Sequence, residues 1–282
     1  MPVSDLSVST SETAYIPDFA DGSGWSTQVV LVNTSDGVLT GSTQFFGQTG
    51  QALTVTVDGQ SATRFDYSIP ARTSKTFQTA GSATVTTVGS IRVSPGSGSR
   101  TPAAFAVLTS RRNNVTVSEI TVEAVKPVAS NRMYVENSGN WGAQESGSLQ
   151  TAFAAVNPSS SAMTLSLELT GMDGTASSFT GSVSIPAQGQ IVTVLNQVQG
   201  FSSLPNSFQG ILRVSTSTSP GVSVVGIRAR YNERSPAPDY ILATVPAMNE
   251  AAAPSTADLL IPNIADSGGY TTQFVLLGGS TA

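Results

Sequence analysis

One stretch occurs twice in this chain, and it limits what the chain can fold into. Residues 15–33 read YIPDFADGSGWSTQVVLVN, and residues 260–277 read LIPNIADSGGYTTQFVLL. The shared skeleton is Ile-Pro, then Ala-Asp, a glycine-rich turn, an aromatic residue, Thr-Gln and an apolar run. A match this long within one chain marks an internal repeat. Pro17, Gly22 and Gly24 rule out a helix at its start. Val29 to Val32 is an unbroken apolar run that fits a strand buried on both faces. The second copy runs only to its first strand before Ala282, so the chain reads as an array with a truncated third unit.

Between the copies the pattern is that of short strands. Leu53 to Val57 alternates apolar and polar residues, and Asp58-Gly59 is a hairpin signal. Eight or nine strands fit between Tyr15 and Val125, with no helical periodicity. That spacing suggests an antiparallel sandwich or barrel. A second unit follows Lys126-Pro127, and its anchors come in the same order. Val32-Asn33-Thr34-Ser35 matches Val156-Asn157-Pro158-Ser159, and Ser68-Ile69-Pro70-Ala71 matches Ser184-Ile185-Pro186-Ala187. Gly89 to Ser94 matches Gly210 to Ser215, and Phe105 to Leu108 matches Val222 to Ile227. The opening motif is rearranged in this unit, at Glu136 to Ser148. A short helix competes with a strand over Gln190 to Gln199, where Ile191, Val194, Leu195 and Val198 stand at helical spacing.

The expected organisation is therefore all-β: two tandem antiparallel β-sandwich domains plus the truncated third repeat. Residues 1–14 are an N-terminal arm, 15–125 the first repeat, 131–246 the second, 247–258 a small-residue linker and 259–282 the partial third. Such a partial unit cannot bury a core alone. Its strand Gln273, Phe274, Val275, Leu276, Leu277 has three possible fates: docking on its own chain, donation to another molecule, or a loose end left by a boundary set one strand late.

Composition narrows the function. With His 0 and Cys 0 the usual catalytic triads and thiolate chemistry are excluded. The 18 carboxylates are scattered over turns, and no pair stands out as a glycosidase couple. A net charge of −5 argues against nucleic acid. No apolar run approaches the ~18 residues of a membrane span, and no signal peptide is present in this segment. With 39% apolar residues and only 11% charged, the chain is not of disordered type.

A few residues stand out as candidates. Asp18 and Asp21, with Asp266 at the place of Asp21, are weak calcium candidates, against the simpler reading that each bonds its own turn. Trp25, Trp141 and Tyr270 lie beside glycine-rich loops, where rings stack on sugars or close the end of a sandwich. Arg92 and Arg213 occupy matching strand positions and are expected to pair with carboxylates across the sheet. Arg111-Arg112 reads as a solvated pair. No cofactor is expected.

The signatures Ile16-Pro17, Ala20-Asp21-Gly22, Trp25-Ser26-Thr27 and Val32-Asn33, with Ser184-Ile185-Pro186-Ala187 and Phe208 to Ser215, resemble tandem β-sandwich repeats of secreted or surface proteins of Acidobacteria and similar bacteria. The resemblance implies immunoglobulin-like or fibronectin-like modules in series, with no known catalytic activity and no site residues to carry over. The expectation is a non-catalytic structural or adhesive extracellular module, a filament subunit joined by strand exchange. Its partners would be other copies of itself or neighbouring repeats. The alternative is a carbohydrate-binding accessory module that meets surface glycans.

Overall fold

A computed structural model describes residues 10–233, 239–253, 256 and 258–278. Most of the expected arm, residues 1–9, lies outside this range, as do residues 279–282 of the third repeat. The last part of the arm is not free. Thr10 bridges Thr101, and the Thr13 and Ser94 hydroxyls are 3.1 Å apart.

Module 1 contains β1 (Ala14–Asp21), β2 (Trp25–Val32), β3 (Leu39–Gly47), β4 (Val55–Val57), β5 (Gln60–Ala62), β6 (Arg64–Ile69), β7 (Ser74–Gln78), β8 (Thr87–Pro95), β9 (Ala103–Arg112) and β10 (Val115–Glu123). One sheet runs β1-β8-β3-β6 and the other β10-β9-β2-β7, with β4-β5 as a separate hairpin. Module 2 contains β11 (Ser130–Ser138), β12 (Leu149–Val156), β13 (Met163–Gly171), β14 (Ala176–Ile185), β15 (Gln190–Val194), β16 (Ser207–Ser215), β17 (Ser223–Tyr231), β18 (Tyr240–Val245) and β19 (Met248–Asn249). Here β14-β13-β16-β11 and β15-β12-β17-β18 repeat the two sheets of module 1 strand for strand. They are linked because β11 meets β12 through Asn137↔Gln150 and Ser138↔Leu149.

Buried asparagines hold the two modules in the same way. Nδ2 of Asn33 donates to the carbonyls of Gly37, Ile69 and Pro70 at 2.7, 2.9 and 2.9 Å, and its Oδ1 accepts from the Ser35 amide and hydroxyl. Asn157 makes the same set with Ser161, Ile185, Pro186 and Ser159. Each amide ties the end of the second strand to the Ile-Pro corner. That corner cannot supply its own donor, because proline has no N–H.

The modules share a core. One apolar cluster runs from Phe19, Phe45, Leu108 and Val122 of module 1 into Ala152, Ala154, Val225 and Ile227 of module 2. A second cluster fills module 2, around Phe153, Leu165, Leu167 and Leu212. This corrects the reading of the apolar strands. β2 alternates, with Val29 and Leu31 buried and Val30 and Val32 half-buried, whereas all eight residues of β12 are buried. Inward side chains of β12 meet the core of module 2. Its outward alanines are small enough for module 1 to pack against them.

Two further expectations need correcting. Gln190 to Gln199 is a strand to Val194 and then a 3-10 turn at Leu195–Gln197, because β15 pairs with β12 from Val156 back to Ala152. The expected linker is fixed at its start: β19 pairs with β11, and Glu250 takes Arg132 and Arg213 at 2.6 and 2.8 Å.

Asn157→Ala leaves buried carbonyls without a donor and is expected to cost about 3 kcal/mol. Urea unfolding followed by circular dichroism checks this. The shared core predicts that both modules unfold in one shifted transition; an unmoved midpoint would contradict the role assigned to Asn157.

Candidate functional site

The candidate interaction site is the third copy of the opening hairpin, residues 260–277. Its turn is formed as in module 1. Ser23 and Gly24 have φ of 53° and 90°, and Gly268 and Gly269 have 63° and 93°, the left-handed pair of a tight hairpin. The Trp25 amide donates to the Gly22 carbonyl at 3.0 Å, and the Tyr270 amide to the Ser267 carbonyl at 3.1 Å. Past the turn, a threonine hydroxyl joins the two arms. Thr27 Oγ1 donates to the Ala20 carbonyl at 2.7 Å and accepts from the Ala20 amide at 3.1 Å; Thr272 does the same with Ala265, at the same two distances. Thr151 plays this part in module 2, with Glu136, although the loop before it is rearranged.

The environments differ. Ile16, Phe19, Val29 and Leu31 are 0% exposed, while their counterparts Ile261, Ile264, Phe274 and Leu276 are 51, 63, 52 and 76% exposed. Of the suggested donor strand, Gln273 is exposed, and Val275 and Leu277 are half-buried. The segment pairs with no strand among the described residues. Ile261, Ile264, Phe274 and Leu276 thus each forgo a part of the roughly 1.5–3 kcal/mol that full burial of such a side chain contributes.

The candidate carboxylates do not come together as a metal site. Asp21 accepts from the Gly81 amide at 2.8 Å and so holds a loop against the end of β1. Asp266 stands exposed at the same place in the third copy. Asp18 is buried, on a bulge of β1 where the register with β8 shifts between Ile16 and Phe19. No group of three metal-ligating side chains exists among the described residues. The aromatic candidates are also separate. Trp141 lies 4.2 Å from Tyr231 and 6.1 Å from Tyr240, centroid to centroid. Trp25 is half-buried, and Tyr270 is 68% exposed.

Sequence reasoning missed the seam between the modules. Arg92, expected to meet a carboxylate, crosses instead to module 2. Its two terminal nitrogens donate to the Gln188 side chain and carbonyl, both at 2.9 Å, and its guanidinium lies 3.7 Å above the Phe46 ring. Gln190 Nε2 donates to the Pro17 carbonyl at 3.1 Å. Gly50 has φ of 82°, and a Cβ there would lie 2.1 Å from the Ala187 carbonyl, so the turns can touch only through glycine. Arg213 does meet carboxylates, Glu168 opposite it and Glu250. Arg112 pairs with Asp239 and is not merely solvated. The repeated Ile-Arg-Val and Leu-Arg-Val were the visible signal, but register alone does not tell which module an arginine faces.

No family model, curated protein or solved structure matches this chain.

Burial pushes the Asp18 carboxyl up to about 8, against the opposing pull of the Phe19 amide. Its Oδ1 has no hydrogen-bond partner. The folded protein therefore keeps a proton that the unfolded chain loses near pH 4. Stability falls as pH rises from about 4 to about 8 and then levels off. Asp18→Asn, the residue the third copy carries as Asn263, is expected to flatten that slope and raise the melting temperature most above pH 8. Melting curves from pH 4 to 9 test this; parallel curves for the two proteins would refute it.

Proposed function

We propose that this chain is a non-catalytic structural segment of an extracellular or cell-surface protein, built to associate through its third hairpin with other copies of itself. The observation that carries this reading is the contrast within the repeat. The same core positions are sealed in module 1 and open to solvent in the third copy, while the hairpin that presents them keeps its turn and its threonine bridge. An apolar surface that is both exposed and pre-shaped has little ordering entropy left to lose on pairing. It is suited to completing a sandwich supplied from elsewhere.

The carboxylates support the non-catalytic part. Asp21 holds a loop, Glu136 holds Arg228 at 3.1 Å, and Glu168 and Glu250 hold Arg213, so these groups act as ties within the fold. Head-to-tail use of one hairpin generates open chains of molecules rather than closed dimers. Adhesion or a spacer role at a surface follows from such chains.

Sedimentation velocity over a concentration series tests the reading. The intact chain is expected to form a concentration-dependent ladder of species. Removal of 258–282, or the double change Ile264→Ser and Phe274→Ser, leaves only the monomer. An intact chain that stays monomeric throughout, or a deletion variant that assembles unchanged, would sink it.

A further inference from the structure

Two hairpin tips meet at one end of module 1. The β1–β2 turn and the β9–β10 turn, Asn113-Asn114, are joined where the Arg111 amide donates to the Gly24 carbonyl at 2.8 Å. Gly24 has φ of 90°, and a Cβ on it would lie 2.3 Å from the Arg111 carbonyl oxygen. The close approach fixes both tips as one rigid platform. A cleft opens on it, lined by Trp25, Ser26, Gly81, Arg111, Asn113 and Asn114.

Three polar side chains in this cleft, those of Arg111, Asn113 and Asn114, have no partner among the described residues. Arg111 is exposed and, among the described residues, makes no ion pair, side-chain hydrogen bond or ring contact, whereas the other described arginines and lysines all have a partner. The side chains of Asn113 and Asn114 are likewise exposed and unengaged. Their φ of 50° and 63° explains why asparagines occupy so tight a turn. It does not explain an unpaired arginine and a half-buried tryptophan beside them. Trp25 packs on the core of module 1 and stacks on no other ring.

Module 2 fills the equivalent place from its own chain. The Tyr231 amide donates to the Ser148 carbonyl at 3.1 Å, just as Arg111 does to Gly24, so Tyr231 stands at the position of Arg111. The longer β11–β12 loop lays Trp141 on Tyr231, with centroids 4.2 Å apart. Module 1 has only a tight turn here, and no ring of its own chain stacks at this position.

We propose that the cleft binds a saccharide that carries a carboxylate. Trp25 offers an apolar face to the C–H face of the sugar ring. Arg111 pairs with the carboxylate in the two-pronged manner open to guanidinium. The amides of Asn113 and Asn114, each with donors and an acceptor, meet ring hydroxyls. Rigid tips, one aromatic face and a few convergent polar groups are what a small ligand site needs. The site uses no residue of 258–278, so it is independent of assembly through the hairpin.

Isothermal titration of the full chain with oligosaccharides of glucuronate, galacturonate, mannuronate and sialate, beside neutral gluco- and manno-oligosaccharides, tests the proposal. At least one acidic oligosaccharide is expected to bind at millimolar concentration or below, more weakly as salt is raised. Arg111→Gln, at an exposed position, is expected to weaken acidic binding about tenfold and leave neutral sugars unaffected. Trp25→Ala abolishes binding, and Trp25→Phe, which keeps the packing on the core, retains part of it. Circular dichroism establishes that each variant is folded. Absence of binding by every acidic oligosaccharide, a preference for the neutral ones, or unchanged affinity in folded Arg111→Gln overturns the proposal. Loss of 258–282 leaves binding intact if the site is where the geometry puts it.

Discussion

One hydroxyl sits where the first two strands of each unit part company. β1 and β2 leave the same tight turn but enter different sheets, so their ladder of backbone bonds must end within a few residues. Two backbone groups of Ala20 would then be buried without partners, at a cost of about 1–3 kcal/mol each. Thr27, itself fully buried, serves both through one Oγ1. Thr151 and Thr272 repeat the device. The two-sheet architecture depends on this divergence. Phe19 and Val29 can face one another across a core only because their strands no longer pair.

This explains what could be read from the sequence. The Ile-Pro…Ala-Asp…Thr-Gln signature contains the turn, the threonine and the first core positions, all of them local, and the all-β fold and the correspondence of the two modules followed from it and from the Asn33 and Asn157 anchors. The seam was hidden because nothing local requires it. Ala152 and Ala154 are ordinary strand residues until module 1 covers them. Gln188 and Gln190 look like turn polarity, yet their partners, Arg92 and Pro17, are almost a hundred residues away or more. Asp18 stands out in the sequence as a weak calcium candidate, whereas its burial comes with the bulge of β1, which no local pattern announces. The cleft at Trp25 is half legible: the ring stands out beside its glycines, whereas Arg111 reads with Arg112 as a solvated pair and nothing in the sequence places the two beside Trp25.

Among the described residues the seam is used once. Module 1 presents Leu108 and Ala20 on the side that module 2 covers, 1 and 6% exposed. By strand register, the same positions in module 2 are Arg228 and Glu136, and they form an ion pair. Ile120, buried in module 1, corresponds to the exposed Ala243. A side that carries charge in place of leucine does not invite another apolar sheet, because burying the pair would cost more than its attraction returns. Module 2 thus ends the pair with a polar flank at this side.

The junctions fit this asymmetry. Val125 bridges Tyr15, and Met248 meets Arg132, so the chain leaves both modules at the same point. From there it reaches Arg132 in the first junction in seven residues and Leu260, the corresponding position, in the second in twelve. A short junction holds module 2 against the apolar flank of module 1. The longer one follows a polar flank, and no described strand pairs with the third hairpin. What the hairpin keeps is therefore only what its own residues can make, the turn and the threonine bridge. What it lacks, cover for Ile264 and Phe274, is the part that no local interaction supplies. The exposed state of these side chains shows how far local bonds reach: they shape the turn and join its arms, but core cover comes only from strands distant in sequence, as it does for Phe19 and Val29 in module 1.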